Sequence, residues 1–316
     1  NHVELLSGAQ NQVDFIVVVP ENVTTLREVL KDAERRAYAV GSFAPRYVAM
    51  IAPILRAGQA MQSPVIVQIS HKEMIRYGIT PLQFADAFYQ AVESEGVTIP
   101  VVLHLDHTKS MDTIRDAIAA GFTSVMIDAS EYDLDENIRI SREVSAYARN
   151  FGVSVEAELG KIGTTDFVET DHDEELYTDP DECLQFVQET GVDALAVSVG
   201  TAHGVYVVRK PKIDIARLKA IREKTDVHLV LHGGSGVPPE MIRQAIELPG
   251  GGISKVNIAT DLEIALLKAL GRDERMTSAE CDALPAESLR RGQDAVQRTV
   301  EEKIELYLGS KVKAIP

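Results

Sequence analysis

From Thr25 to about Leu270 the chain repeats one pattern, an apolar run followed by an amphipathic stretch. The apolar runs stand at 38–43 (YAVGSF), 64–70 (PVIVQIS), 101–106 (VVLHLD), 124–130 (SVMIDAS), 153–159 (VSVEAEL), 194–200 (ALAVSVG), 228–233 (HLVLHG) and 252–258 (GISKVNI). Continuous Val/Ile/Leu-rich runs are those of a parallel sheet covered on both faces. The stretches between them read as helices, among them 81–95, 110–120, 133–150, 179–190, 213–224, 238–247 and 260–270. Asp179-Pro180 and Pro238-Pro239 are apt helix starts. Eight β/α units in about 230 residues predict an α/β fold, a (β/α)8 or TIM barrel, with its chemistry at the C-terminal ends of the strands. An open doubly wound sheet would carry a glycine-rich dinucleotide turn after its first strand, and Gly41-Ser-Phe-Ala-Pro45 is not one.

The flanks are less regular. Residues 1–25 hold one short apolar run, Phe15-Ile-Val-Val-Val19, and are hard to place. Beyond about 271 a polar stretch leads into a long amphipathic helix, Ala286 to Leu308. With no low-complexity segment or linker, residues 1–316 read as one domain, a barrel over about 26–271 with a helical tail over about 272–316. The apolar stripe of the tail suits a homodimer or homotetramer interface, and docking within one subunit explains it equally well.

Charge narrows the partners. A net charge of −16 argues against nucleic acid or an anionic membrane surface, both of which need a basic face. An anionic small molecule can still bind through backbone N–H groups, helix N-termini and single cations. Cys183 and Cys281 are far apart, which makes neither a disulfide framework nor a thiolate zinc site. No apolar run reaches membrane-spanning length and no signal-peptide pattern opens the chain, so the expected location is cytoplasmic.

Three of the expected strands end near histidines: His107 after Val101-Val-Leu-His-Leu-Asp106, His203 after the sixth run, and His232 in the seventh. Catalytic zinc commonly takes three protein ligands and keeps one position open, and three imidazoles at one barrel face meet that count. Alternation puts Val102, His104 and Asp106 on one strand face, so His104 points inward and reads as structural. His71 is a pocket candidate, and His172, in an acidic loop, has no assigned role. Asp106, beside a ligand, suits a general acid/base. Asp128 and Glu158 also fall at strand ends, as structural carboxylates or as ligands of a second divalent or monovalent cation.

Two turns that follow strands and open helices suit phosphate: His232-Gly-Gly-Ser-Gly236 and Val256-Asn-Ile-Ala-Thr260. Phosphate sites in barrels commonly follow strands seven and eight. They make Gly233, Gly234, Ser235, Asn257, Ile258, Ala259 and Thr260 candidate substrate-binding residues, with Gly204, Ser70 and Arg46 at neighbouring strand ends.

Together, Leu-His-Leu-Asp-His (103–107), Met-Ile-Asp-Ala-Ser (126–130), Glu-Ala-Glu-Leu-Gly (156–160), Gly-Val-Asp-Ala-Leu-Ala-Val (191–197), Gly-Thr-Ala-His-Gly (200–204), Leu-His-Gly-Gly-Ser-Gly (231–236) and Lys-Val-Asn-Ile-Ala-Thr (255–260) resemble the zinc-dependent class II fructose-bisphosphate/tagatose-bisphosphate aldolases. The likeness runs from about Leu26 to Leu270, and Ala259 brings it closer to the tagatose-type branch. It implies that His107, His203 and His232 hold one catalytic zinc and that Asp106 exchanges a proton with the C4 oxygen of a ketose. Gly204, Gly233, Ser235 and Thr260 would bind the phosphate of dihydroxyacetone phosphate, and Asn257 would hydrogen-bond the enediolate. Asp128 and Glu158 match positions that take a second or displaced metal. The implied reaction is reversible cleavage of a phosphorylated ketose, a 1-phosphate or 1,6-bisphosphate, to dihydroxyacetone phosphate and an aldehyde. Zinc acting as a Lewis acid would make a Schiff-base lysine unnecessary, leaving Lys161 and Lys255 as charge partners.

Two departures stand out. The family's Asn-rich first turn is here Phe43-Ala-Pro-Arg-Tyr47, so Arg46 is either a surface residue or a contact for a further anionic group on an altered aldehyde. The loop after the fifth strand reads Gly163-Thr-Thr-Asp-Phe-Val-Glu169, with Asp166 or Glu169 as the second proton-transfer acid. The rival readings are a zinc hydrolase on the same barrel, and a metal-binding or regulatory protein without turnover.

Overall fold

The eight apolar runs form the eight strands of a closed, all-parallel barrel. The structure, a computed structural model, describes residues 18–164, 176–206 and 210–314. In chain order the barrel strands are β1 Val40–Phe43, β2 Val65–Ser70, β3 Val101–Thr108, β4 Ser124–Ile127, β5 Ser154–Leu159, β6 Ala194–Val197, β7 His228–Leu231 and β8 Ile253–Ile258. Each neighbours the next and β8 closes on β1, with Ser42 beside Asn257 in register. Strands β4, β6 and β7 stop two or three residues before the ends of their apolar runs. Asp128, Ser198 and His232 therefore lie on backbone that has already left the sheet.

Alternation sorts the side chains into two cores. Outward residues such as Phe43, Val67, Leu103, Leu105, Val125 and Leu195 pack beneath the surrounding helices. Inward residues divide by height. Val40, Ile66, Val102, Met126, Ala194, Ala196 and Val230 form an apolar lower layer, closed from below by Leu26, Leu30 and Ala33 of a helix spanning Leu26–Arg35. Ser42, Gln68, His104, Glu156 and Lys255 occupy the level above it, all at least 98% buried. A barrel interior is ordinarily filled with branched aliphatic side chains. Here its upper half is polar.

The expected helices appear within two residues of their anticipated ends, for example Pro81–Ser94 and Leu134–Arg149. Helices at Ile51–Met61 and His71–Tyr77 complete the set between early strands. The tail is α-helical over Ala286–Glu302 and widens to a π-helical turn over Lys303–Leu308, instead of one regular helix. It docks within its own subunit. Gly292 lets it approach Leu266 closely, and Val296, Val300, Ile304 and Leu308 are buried in the outer core. The apolar stripe that suited a subunit interface is thereby accounted for. Among the described residues no helix is long and apolar enough to cross a membrane.

Candidate active site

A bulge in β3 brings Asp106 and His107 to one face. Leu105 pairs with Val125 but Thr108 pairs with Ile127, so β3 has one residue more than β4 over that interval. An extra residue rotates the strand beyond it. Strict alternation would turn His107 outward beneath the helices. With the bulge, both the carboxylate and the imidazole line one cavity at the C-terminal mouth of the barrel.

His232 comes directly after β7 and is fully buried. His203 comes from further along, in a two-residue parallel ladder of Ala202–His203 with Gly163–Thr164 that lies outside the barrel sheet. The three rings converge, with centroids 4.6, 5.2 and 5.7 Å apart. One nitrogen from each lies within 4.8 Å of the others. Tetrahedral zinc with Zn–N near 2.05 Å needs nitrogens about 3.4 Å apart, a spacing that falls inside that limit.

On two of the rings the remaining nitrogen has a partner that orients it. His107 Nδ1 lies 3.0 Å from Asp128 Oδ2, and His232 Nε2 lies 2.8 Å from Glu156 Oε1. Such carboxylate–imidazole pairs fix which nitrogen is left to bind a metal. That leaves His107 Nε2 and His232 Nδ1, which face each other at 2.8 Å. The charges agree with this arrangement. Burial disfavours a charged His107, but Asp106, Asp128 and Glu158 outweigh it and push its pKa up to about 10. Burial, together with the charge of His107, keeps His203 and His232 neutral, His203 with a pKa lowered to about 3. A cationic His107 thus donates from Nδ1 to Asp128 and from Nε2 to His232.

The acids are held differently. Burial would raise the pKa of Asp106, yet His107, His232 and Lys255 lower it. Its oxygens face Gln68 Nε2 and Asn257 Nδ2, each at 3.4 Å, contacts too long to occupy it fully. Glu156, burial notwithstanding, is kept well below the usual carboxylate range by the ammonium of Lys255 and the imidazoles of His104 and His232. Burial and the charge of Asp128 push Glu158 up to about 8. Its Oε2 is buried and has no hydrogen-bond partner among the described residues. His107, Asp128 and Glu158 also bring three ligand atoms within 4.8 Å, a second arrangement able to hold a cation.

The two expected phosphate turns meet. Asp261 N–H donates to Ser235 Oγ at 3.2 Å, joining the turn after β7 to the N-terminus of the helix Thr260–Leu270 after β8. Gly233 has φ +68°, and a Cβ there would lie 2.3 Å from the Ala202 carbonyl oxygen. Only glycine lets this backbone pass so close to the segment carrying His203. Gly204, Gly233, Ser235, Asn257, Ala259 and Thr260 line the cavity, of ≈ 1230 Å³, with Ser70, Arg46, Asp106 and His107. Gly234 and Ile258 do not. The N–H of Gly234 donates to the Asn257 carbonyl, and the Ile258 side chain is buried in the outer core.

Other expectations resolve locally. His104 is a buried inward residue, its Nδ1 2.7 Å from Ser124 Oγ. His71 lines the cavity, its ring nitrogens near the hydroxyls of Thr108 and Thr113 at 3.3 and 3.4 Å. Ser70 lines it too, but its N–H and Oγ are engaged with Glu73 in a helix cap. Arg46 is no surface residue. It is mostly buried in the cavity wall with φ +64°, ion-paired to Glu73 and Glu263, and Glu263 is shared with Arg275. Asp166, Glu169 and His172 lie outside the described residues.

Sequence reasoning passes over the layer beneath the three histidines, Glu156 and Gln68 above all. A signal for it exists, since alternation puts Glu156 on the same face as Glu158, and Gln68 on that of Ser70.

The whole-chain comparisons agree with one another. A family model described as class II fructose-bisphosphate aldolase matches residues 24–313. A fructose-bisphosphate aldolase of Geobacillus stearothermophilus is 38% identical over 297 residues, 93% of this chain and 99% of the relative. A 6-phospho-5-dehydro-2-deoxy-D-gluconate aldolase of Bacillus subtilis is 39% identical over 296 residues, 92% of this chain and 97% of the relative. Among solved structures, the YdjI aldolase from Escherichia coli K12 superposes with a TM-score of 0.77 at 33% identity, covering 92% of this chain and 99% of that one.

Proposed function

This chain belongs to the class II fructose-bisphosphate aldolase family, and from that premise we propose that it is a zinc-dependent lyase. It cleaves a phosphorylated ketose reversibly to dihydroxyacetone phosphate and an aldehyde. The observation that carries the reading is the convergence of three imidazoles beside one cavity, whose wall is shared by His107, His203, the carboxylate of Asp106 and two joined turns.

His107, His203 and His232 are the residues that would hold the metal, and their imidazoles suit zinc once His107 gives up a proton. When bound, zinc supplies Lewis-acid stabilisation of the charge that develops as the C3–C4 bond breaks. The chain's own residues do the rest. Asp106, ionised and incompletely hydrogen-bonded, takes the proton from the C4 hydroxyl in cleavage and returns it in the reverse direction. Asn257, whose amide faces Asp106, lies at the mouth of β8 where it can hydrogen-bond the three-carbon fragment. Backbone N–H groups of Gly233, Ser235, Ala259 and Thr260 receive the phosphate, favoured by the positive end of the helix Thr260–Leu270. Glu158 and Asp128 offer a second cation position beside His107.

A further anionic group on the aldehyde half is favoured by the cavity wall. Six cationic side chains, Arg46, Lys72, Arg76, Lys109, Lys161 and Arg275, line it against five acidic ones, in a chain whose net charge is −16. Arg46 already answers two carboxylates. The pull on a distal anion therefore falls mainly to Lys72 and Arg76, with a lesser share from Arg46 and Arg275, both paired to Glu263. The similarity to an aldolase named for a phosphorylated gluconate supports the same direction.

The test is coupled detection of dihydroxyacetone phosphate over ketose 1-phosphates, 1,6-bisphosphates and phosphorylated keto-acids, with and without chelator. Metal-dependent release from at least one substrate is expected. Silence of the zinc-loaded protein across the panel overturns the reading.

A further inference from the structure

The buried polar layer beneath the ligands is organised around one ammonium group. Lys255 is fully buried on β8, and its Nζ lies between two oxygens, Asn257 Oδ1 at 2.7 Å and Glu156 Oε2 at 2.9 Å. The other oxygen of Glu156 takes the Nε2 side of His232 at 2.8 Å. The other end of the Asn257 amide, Nδ2, faces Asp106 Oδ1 at 3.4 Å. The ammonium thus stands at the branch of two chains of contacts, one leading to a metal ligand and the other to the proton-transfer acid.

We propose that Lys255 is a positioning residue for the reaction, setting both the tautomer of His232 and the orientation of the Asn257 amide. Donor and acceptor chemistry dictates both. An ammonium has only protons to offer, so an amide beside it must present its oxygen. The Asn257 NH2 is then turned toward Asp106 and the substrate. Without the ammonium, oxygen and nitrogen of the amide could exchange places, and the carboxylate of Asp106 would repel the oxygen. On the other branch the ammonium keeps Glu156 an acceptor, so His232 must carry its proton on Nε2 and leave the Nδ1 lone pair toward His107 and His203. A buried ion pair contributes little net stability compared with apolar residues of similar volume. The consequence of this one lies in orientation.

This inference rests on the proposed function, and the experiment separates the two. Zinc affinity of the substrate-free protein is measured by competition with a chromophoric chelator, and kcat and KM are measured at saturating zinc. These are compared in wild type, Lys255→Met and Glu156→Gln/Lys255→Met. Lys255→Met should bind zinc 10–100-fold more weakly, the usual cost of losing a ligand's outer partner, and should lose kcat with little change in KM. In the double variant the introduced glutamine can again accept from His232 without a buried charge, so zinc affinity should recover to within about tenfold of wild type. Its kcat should stay low, because Asn257 remains unanchored. A purely structural role would move both together. If neither variant folds, the ring 15N shifts of zinc-free wild type decide. His232 as the Nε2–H tautomer supports the proposal, and the Nδ1–H tautomer overturns it. Wild-type affinity and kcat in Lys255→Met overturn it as well. A wild type that neither binds zinc nor cleaves a sugar phosphate overturns the proposed function instead.

Discussion

Replacing Asp106 by asparagine keeps size and shape and removes the ability to take a proton, together with one negative charge beside His107. General acid–base catalysis contributes about 10²–10⁴ in rate, and the structure argues for the upper half of that range. The three carboxylates beside the imidazoles are otherwise engaged. Asp128 is paired with His107, Glu156 is locked between His232 and Lys255, and Glu158, with its pKa near 8, is mostly protonated at pH 7. We expect kcat to fall by roughly 10³ or more, a barrier increase of about 4 kcal/mol. The fold should notice little. Asp106 accepts two contacts of 3.4 Å, and their weakening costs no more than about 1 kcal/mol, or some 2–4 °C in Tm. The assay is kcat by coupled dihydroxyacetone phosphate detection at saturating zinc, with zinc content by elemental analysis and Tm by calorimetry. Asp106→Asn with one zinc per chain, near wild-type Tm and a thousandfold lower kcat is the expected result. Activity within tenfold of wild type would remove Asp106 from proton transfer, and loss of the zinc would reassign it to the metal site.

Gly233→Ala should raise KM for any phosphorylated substrate at least tenfold, because the new Cβ falls on the Ala202 carbonyl and displaces the turn; an unaltered KM would take the phosphate elsewhere. Ile304→Ala should cost about 2–4 kcal/mol in urea unfolding, with a midpoint independent of protein concentration, since its pocket lies within one subunit; a concentration-dependent loss would place the tail at an interface. Zinc binding should release about one proton near pH 7.5. His107, with its pKa near 10, must become neutral to act as a ligand, so apparent affinity rises with pH and levels off above about 10; calorimetry in buffers of different ionisation enthalpy showing no release would contradict this. Arg46→Lys, which keeps the charge but loses the planar fork, should raise KM for a substrate with a distal anion by about tenfold more than for one without, and equal effects would detach Arg46 from specificity.

The barrel is legible in the sequence because its strands are apolar on both faces and its helices on one, so the two periods separate cleanly along the chain. The limits of legibility are physical. The helix Leu26–Arg35 closes the barrel from below through tertiary packing, in a stretch whose local sequence also precedes the first strand. Backbone leaving the sheet early at Val197 and Leu231 is invisible to hydrophobicity, because the residues beyond remain buried. The three histidines are recognisable one at a time, but the bulge that turns His107 inward is a matter of register between two strands. The charge layer of Glu156 and Lys255 joins residues almost a hundred positions apart, and only strand order shows that they meet.

The central claim is a metal held by three imidazoles, and anomalous diffraction at the zinc edge on crystals of the reconstituted protein tests it most directly. One peak per chain should lie about 2.0–2.1 Å from a nitrogen of each of His107, His203 and His232. No peak after reconstitution, or a peak bound by other residues, would contradict the account.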